Sequence, residues 1–300
     1  MLENIILEFS LVLEGIWKLF LQIGPYWAAG LLAGSLVSVF LSEKITGKIA
    51  KLGSSRLWPL SLCAASFLGI VSPMCMYGTV PVIAALWKKG VPQHILISFM
   101  IGSILLNPNI VILTFSLGYG IALMRLALSF LSGILAGVLV LFFFKNKTIF
   151  ALERFESTAK GDEKKQKIFL LDLFKAFKIT TPYLLLGLLI TALFNRYIPP
   201  HWIAGFFGAK RGLGFLFATT LAIPLYACGG GTIPLIGLWM SEGMGAGDAM
   251  AFMLSGPAVK ITNLGAVKTI FRLKYFLLYL AYSLVFAILS GFIAEFILVT

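Results

Sequence analysis

Charge is scarce in this chain. Asp, Glu, Lys and Arg make up 12% of its 300 residues, against 59% hydrophobic residues and a mean hydropathy of +0.98. A soluble domain of this length could not cover itself with so little polar surface, so most of the chain must face lipid. Histidine is scarcer still: His94 and His201 are the only two, neither at a metal-ligand spacing. No Ser-His-Asp set stands at a recognisable spacing, which argues against a hydrolase. Cysteine is limited to Cys63, Cys75 and Cys228, all within apolar sequence, and this excludes a disulfide framework. Gly229-Gly230-Gly231-Thr232 lacks the lysine of a Walker-type loop, so the chain does not hydrolyse nucleotide by itself. The start, Met1-Leu2-Glu3-Asn4, has no basic region of the signal-peptide kind, and the first segment is expected to stay in the mature protein. Neither enzyme activity nor a cofactor is expected.

What the chain does have is long apolar sequence. At about 20 residues per span it suffices for about eight to ten helical segments, and the runs do not alternate as barrel strands would. The fold class read from this is an all-α integral membrane protein, multi-pass, in a bacterial or archaeal cell (inner) membrane. A net charge of +12 would suggest nucleic acid in a soluble protein. Here the basic residues sit between apolar segments and read as topology signals and lipid-surface attraction. The partners expected are therefore the lipid bilayer and a small-molecule or metalloid substrate, with no nucleic acid; assembly into a homo-oligomer is left open. Phe142-Phe143-Phe144 reads as lipid-facing or belt sequence.

One short motif, Gly-Thr-x-Pro, occurs twice. The first copy is Ser72-Pro73-Met74-Cys75-Met76-Tyr77-Gly78-Thr79-Val80-Pro81; the second is Ile223-Pro224-Leu225-Tyr226-Ala227-Cys228-Gly229-Gly230-Gly231-Thr232-Ile233-Pro234. The duplication extends outwards. Gly24-Pro25-Tyr26 corresponds to Thr181-Pro182-Tyr183, Leu86-Trp87 to Leu238-Trp239, Gly90 to Gly243, and Phe99-Met100 to Phe252-Met253. These matches define two membrane repeats, 1–144 and 168–300, each of about four to five helical segments with a Pro/Gly-broken hairpin. The charged stretch 145–167 joins them.

Loop charge orients the repeats. The connector holds the densest Lys/Arg cluster and is placed in the cytoplasm. A hairpin from Leu57 to Trp87, turning at Gly-Thr-x-Pro, is followed by spans at 92–116 and 120–144. Three full spans plus one hairpin per half make an odd number of crossings, hence inverted repeats. Arg196, Lys210 and Arg211 then fall outside, against the charge rule.

Broken segments at membrane depth need polar partners, and a substrate can be one. The candidate substrate-binding residues are Cys75, Tyr77, Gly78, Thr79, Pro81, Asn107, Cys228, Gly229, Gly230, Gly231, Thr232, Pro234, Lys260 and Asn263. Gly229-Gly230-Gly231 exposes backbone to a ligand, while Thr79 and Thr232 place hydroxyls at matched positions. Cys75 and Cys228 are metal-ligand candidates, since paired thiolates suit trivalent arsenic or monovalent copper; each can equally pack as a small hydrophobe. Pro108 and Pro257 are second breaks with Asn107 and Asn263 beside them, as ligands or as caps for freed backbone groups. Lys260 is an intramembrane ammonium that can hold an anion or exchange a proton, or else snorkel to an interface. Asp248 and Glu242 read as coupling carboxylates or as solvated loop charges.

The duplicated Pro…Cys…Gly-Thr-x-Pro core, with its Gly turn and following Pro-containing helix, resembles the predicted permease family that includes bacterial organoarsenical efflux permeases (the ArsP-like group). The resemblance falls on Pro73, Cys75, Gly78 and Pro81, and on Pro224, Cys228, Gly231 and Pro234. It implies around eight spans and efflux of trivalent organoarsenicals, with metal transport in related members. Tyr77 stands where many relatives carry a second cysteine, which removes one soft ligand. The reading is a secondary exporter of trivalent arsenicals or a related soft, thiol-binding species by alternating access. The alternatives are a carrier of a small anion using Lys260 and the Gly-rich break, or a passive channel.

Overall fold

The computed structural model describes residues 2–40, 47, 53, 57–74, 76–145, 147–151, 165–197, 214–226 and 232–299. Among these the chain is helical, with no strand beyond one isolated bridge between Phe150 and Phe271. The first half carries α1 (Leu2–Phe40), α2 (Trp58–Val71), α3 (Met76–Lys88), α4 (Gln93–Leu105), α5 (Pro108–Thr114) and α6 (Tyr119–Phe143). The second carries α7 (Lys165–Tyr197), α8 (Gly214–Leu225), α9 (Thr232–Ser241), α10 (Ala246–Val259), α11 (Ile261–Ile270) and α12 (Leu273–Val299). Each half thus runs through a long helix, a broken pair, a buried helix with a short continuation, and a long apolar helix.

Helices α6 and α12 are long and apolar enough to cross a membrane, and α4 with α5 makes a third span if that pair, bent by 44°, is counted as one. Leu277, Leu289 and Phe296 on α12, like Phe142 and Phe143 on α6, are exposed, as lipid-facing side chains should be. In contrast, α4 and α10 are apolar on all sides and buried along nearly their whole length. A helix of that kind belongs at the centre of the molecule. Accordingly α4 packs between α2 and α6, and α10 between α8 and α12. Small residues permit the approach: a Cβ on Gly102 would stand 2.5 Å from the Ser66 carbonyl oxygen of α2.

The breaks follow from proline chemistry, but not all where the motif suggests. Pro73 excludes Ser72 from helical geometry, and Ser72 is extended at φ −69° and ψ 129°. The first break therefore lies at Ser72–Met74, ahead of Gly78-Thr79-Val80-Pro81, which is helical and inside α3. Pro81 removes only one intrahelical bond, which the buried helix tolerates. In the second half Pro234 sits in the first turn of α9, where its missing N–H has no intrahelical partner to lose. Likewise Pro257 stays within α10, and the chain turns three residues later at Lys260 (φ −57°, ψ 145°). Gly90 and Gly243, paired by the sequence repeat, both take positive φ (77° and 108°) and close the turns after α3 and α9.

The connector is not wholly solvated. Ile149 and Phe150 are buried, the Phe150 ring stacks on Phe271 at 5.5 Å, and the Ala151 N–H donates to the Ile270 carbonyl at 2.7 Å. Helix α7 begins at Lys165; residues 152–164 lie outside the described residues.

Candidate functional site

Both duplicated motifs border one stretch of the second half, Gly256–Asn263. The Tyr77 hydroxyl, at the start of α3, donates to the Thr262 carbonyl in α11. Tyr226, which follows α8, lays its ring against Gly256, where a Cβ would collide with it. The Lys260 ammonium lies 6.0 Å from the centroid of that same ring. Tyr77 comes two residues after Cys75 and Tyr226 two residues before Cys228. Cys75, Cys228, Gly229, Gly230 and Gly231 themselves lie outside the described residues.

The remaining expected site residues divide by what they touch. Lys260 is 5% exposed, and its side chain is buried between the helices that meet at the break. Asn263 donates to the Pro257 carbonyl, and Asn107 accepts from the Ile110 N–H at 3.0 Å as the cap of α5. Both amides thus satisfy backbone groups freed by the breaks. Thr79 is fully buried and shares a hydrogen bond with Ser103 at 2.8 Å, which in turn stands 3.2 Å from Ser72. That hydroxyl chain ties α3 to α4. Thr232 is buried at the start of α9, and Gly78 and Pro81 are buried in α3, whereas Pro234 is exposed. The structure therefore gathers Tyr77, Lys260 and Asn263 at one junction, with Tyr226 added. Thr262 contributes its carbonyl there, while its buried hydroxyl finds no partner among the described residues.

Arg125 escaped the sequence reading altogether. It lies in α6, inside a membrane-length apolar helix, and is completely buried. Its Nη1 donates to Thr114 Oγ1 at 2.7 Å and to the Met253 sulfur at 3.5 Å. Its Nη2 donates to the Tyr226 hydroxyl at 3.2 Å and the Met253 carbonyl at 3.3 Å. Every acceptor is neutral, and Nε has no partner among the described residues. The signal was available, since an ionisable residue inside a span is a functional-site candidate by default.

Asp248, in the first turn of α10, is not a free loop charge. It is half-buried against Gly214 and faces Glu295, whose carboxylate accepts from the Gly247 N–H at 2.8 Å. Glu242, by contrast, is exposed in the turn after α9.

A family model described as predicted permease matches residues 8–296. The chain belongs to this predicted-permease family. The match takes in both broken motifs, Arg125 and Lys260. This permease is 26% identical over 266 residues to a Streptococcus mutans protein named as a candidate two-component membrane permease complex subunit, covering 86% of each chain. It is 23% identical over 277 residues to the UPF0718 protein YcgR of Bacillus subtilis, covering 90% of this chain and 92% of that one. To a UPF0718 protein of Methanocaldococcus jannaschii it is 30% identical over 132 residues, 44% of this chain but only 36% of the relative's length. No solved structure matches the permease significantly.

Proposed function

We propose that this permease is a multi-pass secondary carrier of a bacterial or archaeal inner membrane, with one central site between two inverted repeats that rock against each other. The observation that carries the reading is the meeting of Tyr77 and Tyr226, one from each broken motif, on the Gly256–Asn263 stretch. A site made of two breaks and a buried charge changes its contacts when either half moves. That is what alternating access requires.

Two substrate readings follow, both for export. In the first, the cargo is a trivalent organoarsenical or a related soft species, held by the Cys75 and Cys228 thiolates. Its support is the matched position of the two cysteines, each two residues from a tyrosine of the junction. In the second, the cargo is a small anion balanced by Lys260; its support is the burial of that ammonium beside Tyr226.

Binding to the purified full chain separates them. Binding of a trivalent methylarsenical that disappears in both Cys75→Ser and Cys228→Ser establishes the first reading. Arsenical binding that survives both substitutions removes it, and anion binding lost in Lys260→Ala then establishes the second.

A further inference from the structure

The geometry points to Arg125 as a receptor for a small oxyanion, and as the latch that such an anion opens. The inference rests on the carrier reading above and adds a binding residue to the same junction.

Three observations lead to it. A guanidinium keeps its charge at any accessible pH, so a fully buried one needs charge compensation or carries a large desolvation cost. Among the described residues no carboxylate pairs with Arg125. Its four acceptors are a hydroxyl, a thioether, a phenol and a carbonyl, and the Nε proton has no partner among the described residues. Finally, Lys260 presents a second buried cation to the ring of Tyr226, the same tyrosine whose hydroxyl Arg125 holds. Two buried cations converging on one tyrosine make a place where an anion is favoured.

The connectivity gives the anion something to do. Arg125 and its partner Thr114 belong to the first half, while Tyr226 and Met253 belong to the second. The guanidinium therefore ties the two halves together through weak neutral acceptors. An oxyanion with two adjacent oxygens can accept from the guanidinium fork in charge-assisted bonds, which are stronger. Taking Nη2 and Nε, it would displace the Tyr226 hydroxyl and the Met253 carbonyl. The link between the halves then falls to the weak Nη1–Met253 sulfur contact only when cargo is bound.

The test is thermal unfolding of the purified full chain, titrated with sulfate, phosphate and arsenate against chloride at matched ionic strength. Sulfate and phosphate stabilise proteins generally by exclusion from their surfaces, so only a saturating shift counts. The expected result is a saturating rise with at least one oxyanion and none with chloride. Its half-saturation concentration should rise at least tenfold in Arg125→Gln and fall in Tyr226→Phe, which frees Nη2 from a competing acceptor. Should Arg125→Gln fail to fold, the Tyr226→Phe comparison still decides. No saturating shift in the wild type, an equal shift with chloride, or half-saturation unchanged in the variants would overturn the inference. Because the readout is equilibrium binding, its failure leaves a carrier of neutral arsenicals standing, and a failure of transport leaves the binding result intact.

Discussion

Tyr77 and Thr262 are 185 positions apart in sequence, yet the hydroxyl of the first bonds to the backbone carbonyl of the second. Tyr77 belongs to the first broken motif and Thr262 to the second break of the other half. The first half therefore anchors the segment at which the second half is broken. Arg125 repeats the arrangement in the same direction, reaching from α6 of the first half to Tyr226 beside the second broken motif.

Removing the phenol tests this contact. Tyr77→Phe should lower stability by about 1 kcal/mol, the ordinary net worth of such a bond. Because the acceptor is backbone and the Thr262 hydroxyl has no partner among the described residues, Thr262→Val should be neutral or slightly stabilising. Thermal unfolding of the two variants in the same detergent checks the contrast.

Gly256 is the position where packing and site meet. In Gly256→Ala the new methyl group collides with the Tyr226 ring. The ring is rigid and buried, so overpacking should cost about 1–3 kcal/mol and move Tyr226 off Arg125 and Lys260. The expected result is a less stable protein with solute flux reduced at least tenfold. Proteoliposome uptake beside an unfolding curve checks both.

Lys260→Met tests whether the buried ammonium is structural. A functional charge in an apolar setting is replaced by methionine at little cost, and often with a gain, in stability. Unfolding temperature should hold or rise while anion binding is lost. A large fall in stability with binding retained would mark Lys260 as a packing residue.

The sequence displayed its breaks because proline and glycine act locally. Pro73 fixes Ser72, Gly90 and Gly243 take the turns that the repeat pairs, and the expected spans at 92–116 and 120–144 fall on α4–α5 and α6. It could not display where along the motif the helix resumes. A single proline such as Pro81 is tolerated inside a helix whose neighbours compensate, and those neighbours are tertiary. The asparagines show the same limit. Asn107 and Asn263 were legible as polar residues at breaks, but that both spend hydrogen bonds on backbone depends on the path of the chain. Arg125 was legible by composition alone, as a cation six positions into a span. Its partners Tyr226 and Met253 are over 100 residues away, so its role was not.

Counterflow in proteoliposomes tests the central claim most directly, using whichever arsenical or oxyanion binds the purified chain. A carrier working by alternating access around the Tyr77–Tyr226 junction takes up labelled solute faster when unlabelled solute is preloaded, and Gly256→Ala abolishes that acceleration. Uptake indifferent to preloading would mean a pore, and the junction would then be a fixed part of its wall.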